Sequence, residues 1–304
     1  MILVGDAFSR LADISSQSVQ TCITSPPYFG LRDYKVEGQL GAEKNLDDYI
    51  NRLRLIFEQV KRTLKKDGTL WLNLGDSYAK STKGFKDKQL LGVPWRVALA
   101  LQQDGWYLRQ DIVWAKPNPM PESVRDRCTR AHEYLFMLAK SEVYYYDNDA
   151  IKEPAISAHE ARWAGTGSTE TGKSYAGTGK STRRFASPDK QRGHSRRHSG
   201  FNDRWDKMTK DEQCSQMRNK RDVWTVAPAQ FKGAHFATFP EKLIEPCVLA
   251  STKPGDLVLD PFLGSGTTGA VSERLGRRWV GIELSEKYAE IARSRVGLLQ
   301  QQLG

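Results

Sequence analysis

Residues 257–268 read L-V-L-D-P-F-L-G-S-G-T-T. The apolar run Leu257, Val258, Leu259 suits one buried strand, and Pro261 ends it. Gly264 and Gly266 allow a tight turn whose backbone comes close to a ligand. Residues 267–275 read as a helix, whose N-terminus offers free N–H groups to a negative group. Arg278–Glu283 follows as a second strand with an acidic end, about twenty residues on, where nucleotide-type folds hold ribose hydroxyls. Phe262 and Glu283 beside the turn suit adenosine attached to an amino acid, with a carboxylate in place of a pyrophosphate. A purely structural turn and a nicotinamide site remain as alternatives.

Outward from this stretch, strand-like and helix-like segments alternate. Towards the N-terminus, strands are expected at 2–4, 19–24, 69–74, 110–115 and 133–139. Apolar residues at 46, 49, 50, 53, 56, 57, 60 and 64 have a helical period, closed by Lys66-Asp67-Gly68. Further helices are expected over 94–103, 240–251 and 285–299. The alternation at both ends predicts one α/β sheet with helices on both faces. Residues 155–222 break the pattern with a Gly-, Ser-, Thr- and Arg-rich tract, expected to be a flexible or partner-ordered insertion.

The chain has 304 residues and a net charge of +10. Residues 151–225 hold sixteen Lys/Arg against nine Asp/Glu, so +7 of the +10 lies there. Such a segment suits a polyanion such as nucleic acid. The cysteines at 22, 128, 214 and 247 have neither zinc-ligand nor redox spacing, and no metal is expected. No stretch approaches a membrane span and the N-terminus lacks signal-peptide character, so a cytoplasmic protein is expected. Residues 167–174, G-S-T-E-T-G-K-S, match a phosphate-loop pattern literally. They follow no strand, and Gly177 and Gly179 would spoil the helix such a loop must open, so the match is set aside.

A second punctuated strand stands near the N-terminus. Val19–Thr24 is rich in β-branched residues and runs into Ser25-Pro26-Pro27-Tyr28. Two prolines have fixed φ and no N–H, so pairing must stop there in one rigid shape.

Together, T-S-P-P-Y at 24–28 and D-P-F-L-G-S-G-T-T at 260–268 resemble the S-adenosylmethionine-dependent DNA amino-methyltransferases, in the motif order of their β class. Gly5-Asp6, residues 111–118 (D-I-V-W-A-K-P-N), 131–134 (A-H-E-Y) and 235–243 resemble further blocks of that family. The resemblance implies a Rossmann-like methyltransferase sheet. It places the catalytic half at 1–150, a target-recognition insertion at 151–225 and the cofactor half at 226–304. Ser25, Pro26, Pro27 and Tyr28 would be catalytic. Gly264, Ser265 and Gly266 would shape the cofactor loop, with Asp260 and Phe262 lining it. Thr267 would bond the methionine carboxylate, Glu283 the ribose, and Asp6 would sit near the adenine amine, with Lys242 a further candidate.

A base amine conjugated with its ring is a poor nucleophile. Two acceptors aimed at its N–H bonds, Ser25 Oγ and the Pro26 carbonyl, would favour a tetrahedral nitrogen, and Tyr28 could stack on the base. The base must first leave the duplex. In the resembled family serine at this position goes more often with cytosine N4 and aspartate with adenine N6, so N4 is favoured and N6 is the alternative. Arg183, Arg184, Arg192, Arg196, Arg197 and Arg204, interleaved with Phe185, Phe201 and Trp205, are the expected DNA contacts. Double-stranded DNA, a cognate restriction nuclease and a second copy of the chain are the expected partners. An RNA methyltransferase and a non-enzymatic nucleic-acid-binding protein are the more remote readings.

Overall fold

The computed structural model describes residues 1–31, 36, 38–154, 217–228 and 239–303. Among these, eight strands form one sheet: β1 (Ile2–Val4), β2 (Val19–Thr24), β3 (Leu64–Leu74), β4 (Tyr107–Ala115), β5 (His132–Ala139), β8 (Val223–Thr225), β9 (Leu257–Asp260) and β10 (Arg278–Glu283). Their order is β1-β10-β9-β2-β3-β5-β4-β8. The pairs from β1 across to β3 are parallel, β5 runs antiparallel to β3 and β4, and β8 is parallel to β4. The described α-helices are α1 (Ala7–Leu11), α2 (Leu46–Thr63), α3 (Val93–Gln103), α4 (Glu241–Ser251), α5 (Thr267–Arg274) and α6 (Glu286–Leu303).

The side-chain alternation of the central strands builds two cores. Cys22, Leu70, Leu72, Leu74, Phe136 and Leu138 pack with the apolar faces of α1, α2 and α3. Ile23, Trp71, Leu135 and Met137 pack on the other side with Leu243, Ile244 and Val248 of α4 and Val271 of α5. The sheet therefore has helices on both faces, as a strand buried along its whole length such as β2 requires.

Local signals account for the elements. Asn45 caps α2 by accepting from the Asp48 N–H, acidic residues fill its first turn, and Lys61 and Arg62 its last. Pro94 sits in the first turn of α3. Two details differ from the pattern reading. The helix ends at Thr63, and Lys66-Asp67-Gly68 lies inside β3 instead of terminating a helix. Leu64 is already extended and pairs with Val19, and the register then slips so that Thr21 pairs with Thr69. The extra residues on β3 form a bulge. The five-residue α1 and the short β8 had no readable pattern.

Lys152–Lys220 forms a second compact unit, whose described part is an antiparallel pair, β6 (Glu153–Pro154) with β7 (Met217–Arg218), closed by an Arg218–Glu153 ion pair of 3.0 Å. The arginines from 183 to 204 and the phosphate-loop-like segment 167–174 lie outside the described residues.

Candidate active site

The chain leaves β2 for β3 through α2, and leaves β9 for β10 through α5, so the connections of these adjacent strands diverge. Open α/β sheets bind ligands at the carboxyl ends of strands at such a switch point. The two ends here carry Ser25-Pro26-Pro27-Tyr28 and Pro261 to Gly266.

Asp260 joins the two loops. Its Oδ1 accepts from Thr24 Oγ1 (2.6 Å) and the Phe262 N–H (3.0 Å), and its Oδ2 from Thr268 Oγ1 (2.7 Å). It is fully buried, and burial pushes its carboxyl up to about 6 against the opposing pull of those hydrogen bonds. Asp260 is thus the fastener beneath the loop and is not among the residues that line the cavity above it.

That cavity is lined by Asp6, Phe262, Gly264, Ser265, Thr267 and Glu283, and also by Ser25 and Pro27. Asp6 caps α1, its Oδ1 accepting from the Ser9 N–H at 3.0 Å. Glu283 accepts from the backbone N–H groups of Gly264 and Ser285, each at 2.9 Å, so the acid at the end of β10 also shapes the glycine loop. Burial raises its carboxyl and these bonds hold it back. Gly266 opens α5 with φ +83°, and a Cβ there would meet the Ala292 Cβ at 3.0 Å, so both its dihedral and its space exclude a side chain. Among the sequence-predicted cofactor residues, Asp260, Gly266 and Lys242 do not line the cavity, and Lys242 is exposed at the start of α4.

The cavity's chemistry fits S-adenosylmethionine. An acid at a strand end suits vicinal hydroxyls, and an aromatic ring lies beside the turn. A helix N-terminus carries Thr267 Oγ1, which accepts from Arg295 Nη1 at 2.9 Å. Arg295, a residue of α6 without a sequence signal, also donates to Ser265 Oγ (3.3 Å) and Glu241 Oε1 (2.6 Å). Arg295 is ion-paired with Glu241 and is not among the residues lining the cavity, so it acts by holding Ser265 and Thr267 in place.

The prolines hold a polar cluster in place. The Pro27 carbonyl accepts from Tyr49 Oη at 2.8 Å, while no hydrogen bond to the Pro26 carbonyl occurs among the described residues. Ser25 Oγ lies 3.3 Å from Tyr28 Oη. Tyr28 Oη lies 2.7 Å from Glu133 Oε2 and 3.1 Å from Asn73 Oδ1. Lys116 Nζ pairs with Glu133 Oε1. Burial first, and then the Glu133 charge, hold the Tyr28 hydroxyl well above its ordinary range, so it stays protonated. The Tyr28 ring packs on Gly75, where an added Cβ would lie 2.6 Å from Cε2.

Sequence reasoning missed Asn73, Lys116, Glu133 and Arg295. A signal existed for two of them: Asn73 interrupts the apolar run of β3 and Glu133 opens the apolar run of β5. Buried polar residues inside such runs need partners.

Comparison with known proteins gives a consistent result. A family model described as DNA methylase, of the N6/N4 methyltransferases, matches residues 19–294. The type II methyltransferase M.Cfr9I of Citrobacter freundii is 44% identical over 96% of this chain and 86% of its own length. The type II methyltransferase M.SmaI of Serratia marcescens is 43% identical over 97% of this chain and 90% of its own. Among solved structures, the PvuII DNA methyltransferase (cytosine-N4-specific) shares the fold with a TM-score of 0.65 at 21% identity, over 97% of this chain and 85% of that one. A Thermus thermophilus protein complexed with S-adenosyl-L-methionine shares it with a TM-score of 0.60 at 24% identity, over 98% and 93%.

Proposed function

The chain belongs to the N6/N4 family of DNA methylases, and within that family we propose that it methylates the exocyclic N4 of a flipped-out cytosine in duplex DNA. It is a DNA amino-methyltransferase that uses S-adenosylmethionine. When bound, the cofactor supplies an electrophilic methyl group on a positively charged sulfur. The observation that carries the reading is a single cavity walled by Ser25 and Pro27 and also by Gly264, Ser265 and Glu283. The methyl source and one amine acceptor, Ser25, would then share one space, which supplies proximity without a covalent enzyme intermediate.

In this reading Glu283 holds the ribose, Asp6 faces the adenine, and Thr267, held in place by Arg295, bonds the methionine carboxylate. Ser25 Oγ and the Pro26 carbonyl accept the two N–H bonds of the base amine and draw its nitrogen towards tetrahedral geometry. Tyr49 occupies the Pro27 carbonyl, so that group stays out of the reaction and fixes the loop. Serine in place of aspartate favours cytosine N4 over adenine N6 by the family's pattern. The arginines between 183 and 204 would contact DNA, within a 151–225 recognition segment. The type II relatives support a cognate restriction nuclease reading the same site, and DNA in the cytoplasm as the working environment.

Ser25→Ala tests the assignment. Transfer of labelled methyl to duplex DNA should fall by about 100-fold or more, because one preorganised acceptor is lost. Cofactor affinity should stay within about twofold, since the change removes interactions made chiefly in the transition state. Full turnover in this variant would refute the role given to Ser25.

A further inference from the structure

Glu133 is not among the residues lining the cavity, yet it ends a chain of contacts that begins at Ser25. A serine hydroxyl rotates, and its two orientations have opposite consequences here. With its proton turned to the base amine, it would occupy the lone pair needed for attack. With its proton turned away, its oxygen can accept an amine N–H. The direction of the Ser25 proton therefore matters to the reaction, and neighbouring groups must set it.

The neighbours do so in a definite sense. The Tyr28 hydroxyl has one proton and keeps it. Two acceptors claim that proton, Glu133 Oε2 at 2.7 Å and Asn73 Oδ1 at 3.1 Å. Asn73 is locked in this orientation because its amide nitrogen donates to Glu133 Oε2 (3.2 Å) and to the Tyr134 carbonyl (3.1 Å). The Tyr28 proton thus points away from Ser25, and Oη meets Ser25 Oγ as an acceptor. The Ser25 proton is drawn to Tyr28, and the Ser25 lone pairs are left for the substrate. Lys116, paired with Glu133 Oε1 and seated 4.4 Å from the Trp114 ring centroid, holds the Glu133 side chain in this position.

We propose that Glu133 is a positioning residue that fixes the hydrogen-bond polarity of the catalytic loop, so that Ser25 acts as a pure acceptor toward the target amine. The inference rests on the role given to Ser25 above. It makes a sharp statement about Glu133→Gln. Lys116 donates, so it selects the amide oxygen and turns the amide NH2 toward Tyr28. The Tyr28 proton then keeps only the longer of its two acceptors, Asn73 Oδ1 at 3.1 Å, and the polarity of the chain is weakened with almost no change in shape.

The experiment compares Ser25→Ala, Glu133→Gln, Glu133→Asp, Tyr28→Phe and the Tyr28→Phe/Glu133→Gln double variant of the full chain. It reads kcat with saturating duplex DNA, cofactor affinity by titration, and the thermal midpoint. Glu133→Gln should lower kcat by about 10- to 100-fold while KM, cofactor affinity and thermal midpoint hold. Glu133→Asp, which keeps the charge, should retain more of kcat than Glu133→Gln. Tyr28→Phe should lose a similar factor, and the double variant no more than Tyr28→Phe alone, because both act through one chain. Unchanged kcat in Glu133→Gln beside an inactive Ser25→Ala would overturn this inference and leave the Ser25 reading standing. A fully active Ser25→Ala would remove the reading beneath it. Parallel loss of cofactor affinity and thermal midpoint in Glu133→Gln, or additive losses in the double variant, would also overturn it.

Discussion

At the scale of single residues, the site depends on carboxylates whose partners decide what they do. Asp260 and Glu283 end adjacent strands, yet one is sealed beneath the loop and the other lines the cavity. The sealing of Asp260 has a thermodynamic signature. Its carboxyl is raised to about 6 in the folded chain, so the folded state holds that proton more tightly than the unfolded one. The unfavourable burial of charge is therefore present in full above about pH 6 and is relieved as pH falls through that value. Unfolding by denaturant of the wild type and Asp260→Asn should show it. Between pH 7 and about pH 4.5 the wild type should gain about 2 kcal/mol relative to the variant. A difference independent of pH would mean that Asp260 titrates as an exposed carboxylate. The residues legible beforehand were those in tight motifs. Asn73 and Glu133 break apolar runs, which marks them as polar residues in need of partners, but which partners they and Lys116 find comes from the pairing of β3, β4 and β5, and a linear pattern carries no cross-strand register.

At the scale of elements, most of the sheet could be read from the chain. Strands buried on both faces are continuous apolar runs, and prolines or glycines mark their ends: Pro26 after β2, Gly75 after β3, Pro261 after β9. Amphipathic period and capping defined α2 in the same way. What escaped reading has a physical cause in each case. The five residues of α1 are too few to display a period, and Asp6 was read for its ligand instead of its cap. The passage from α2 into β3 combined good turn residues with an extended backbone, because pairing with β2 outweighs the local preference of Lys66-Asp67-Gly68. The strand β8 returns after a long excursion and pairs with β4, with Trp224 packed near Trp71, ring centroids 6.5 Å apart.

At the scale of the whole molecule, two rigid strand ends far apart in sequence become one site. The hydrogen bond from Thr24 to Asp260 spans 236 positions. The pairing of β2 with β9 is what brings the motifs together, and each motif alone would have remained a turn. The other large feature is charge. Residues 151–225 carry +7 of the net +10, against a catalytic unit that holds the cavity by itself. Deleting residues 165–200 should therefore abolish DNA binding while cofactor affinity stays within about twofold of the full chain. Equal collapse of cofactor affinity would make that segment part of the catalytic fold.

The central claim is that this chain places a methyl group on cytosine N4 in duplex DNA. The most direct measurement incubates the purified protein with S-adenosylmethionine and unmethylated duplex DNA, digests the DNA to nucleosides, and identifies the methylated one by mass. N4-methylated deoxycytidine is the predicted product, absent when Ser25→Ala is used. N6-methylated deoxyadenosine as the sole product would contradict the base assignment, and unmodified DNA with methylated RNA in a parallel reaction would contradict the account as a whole.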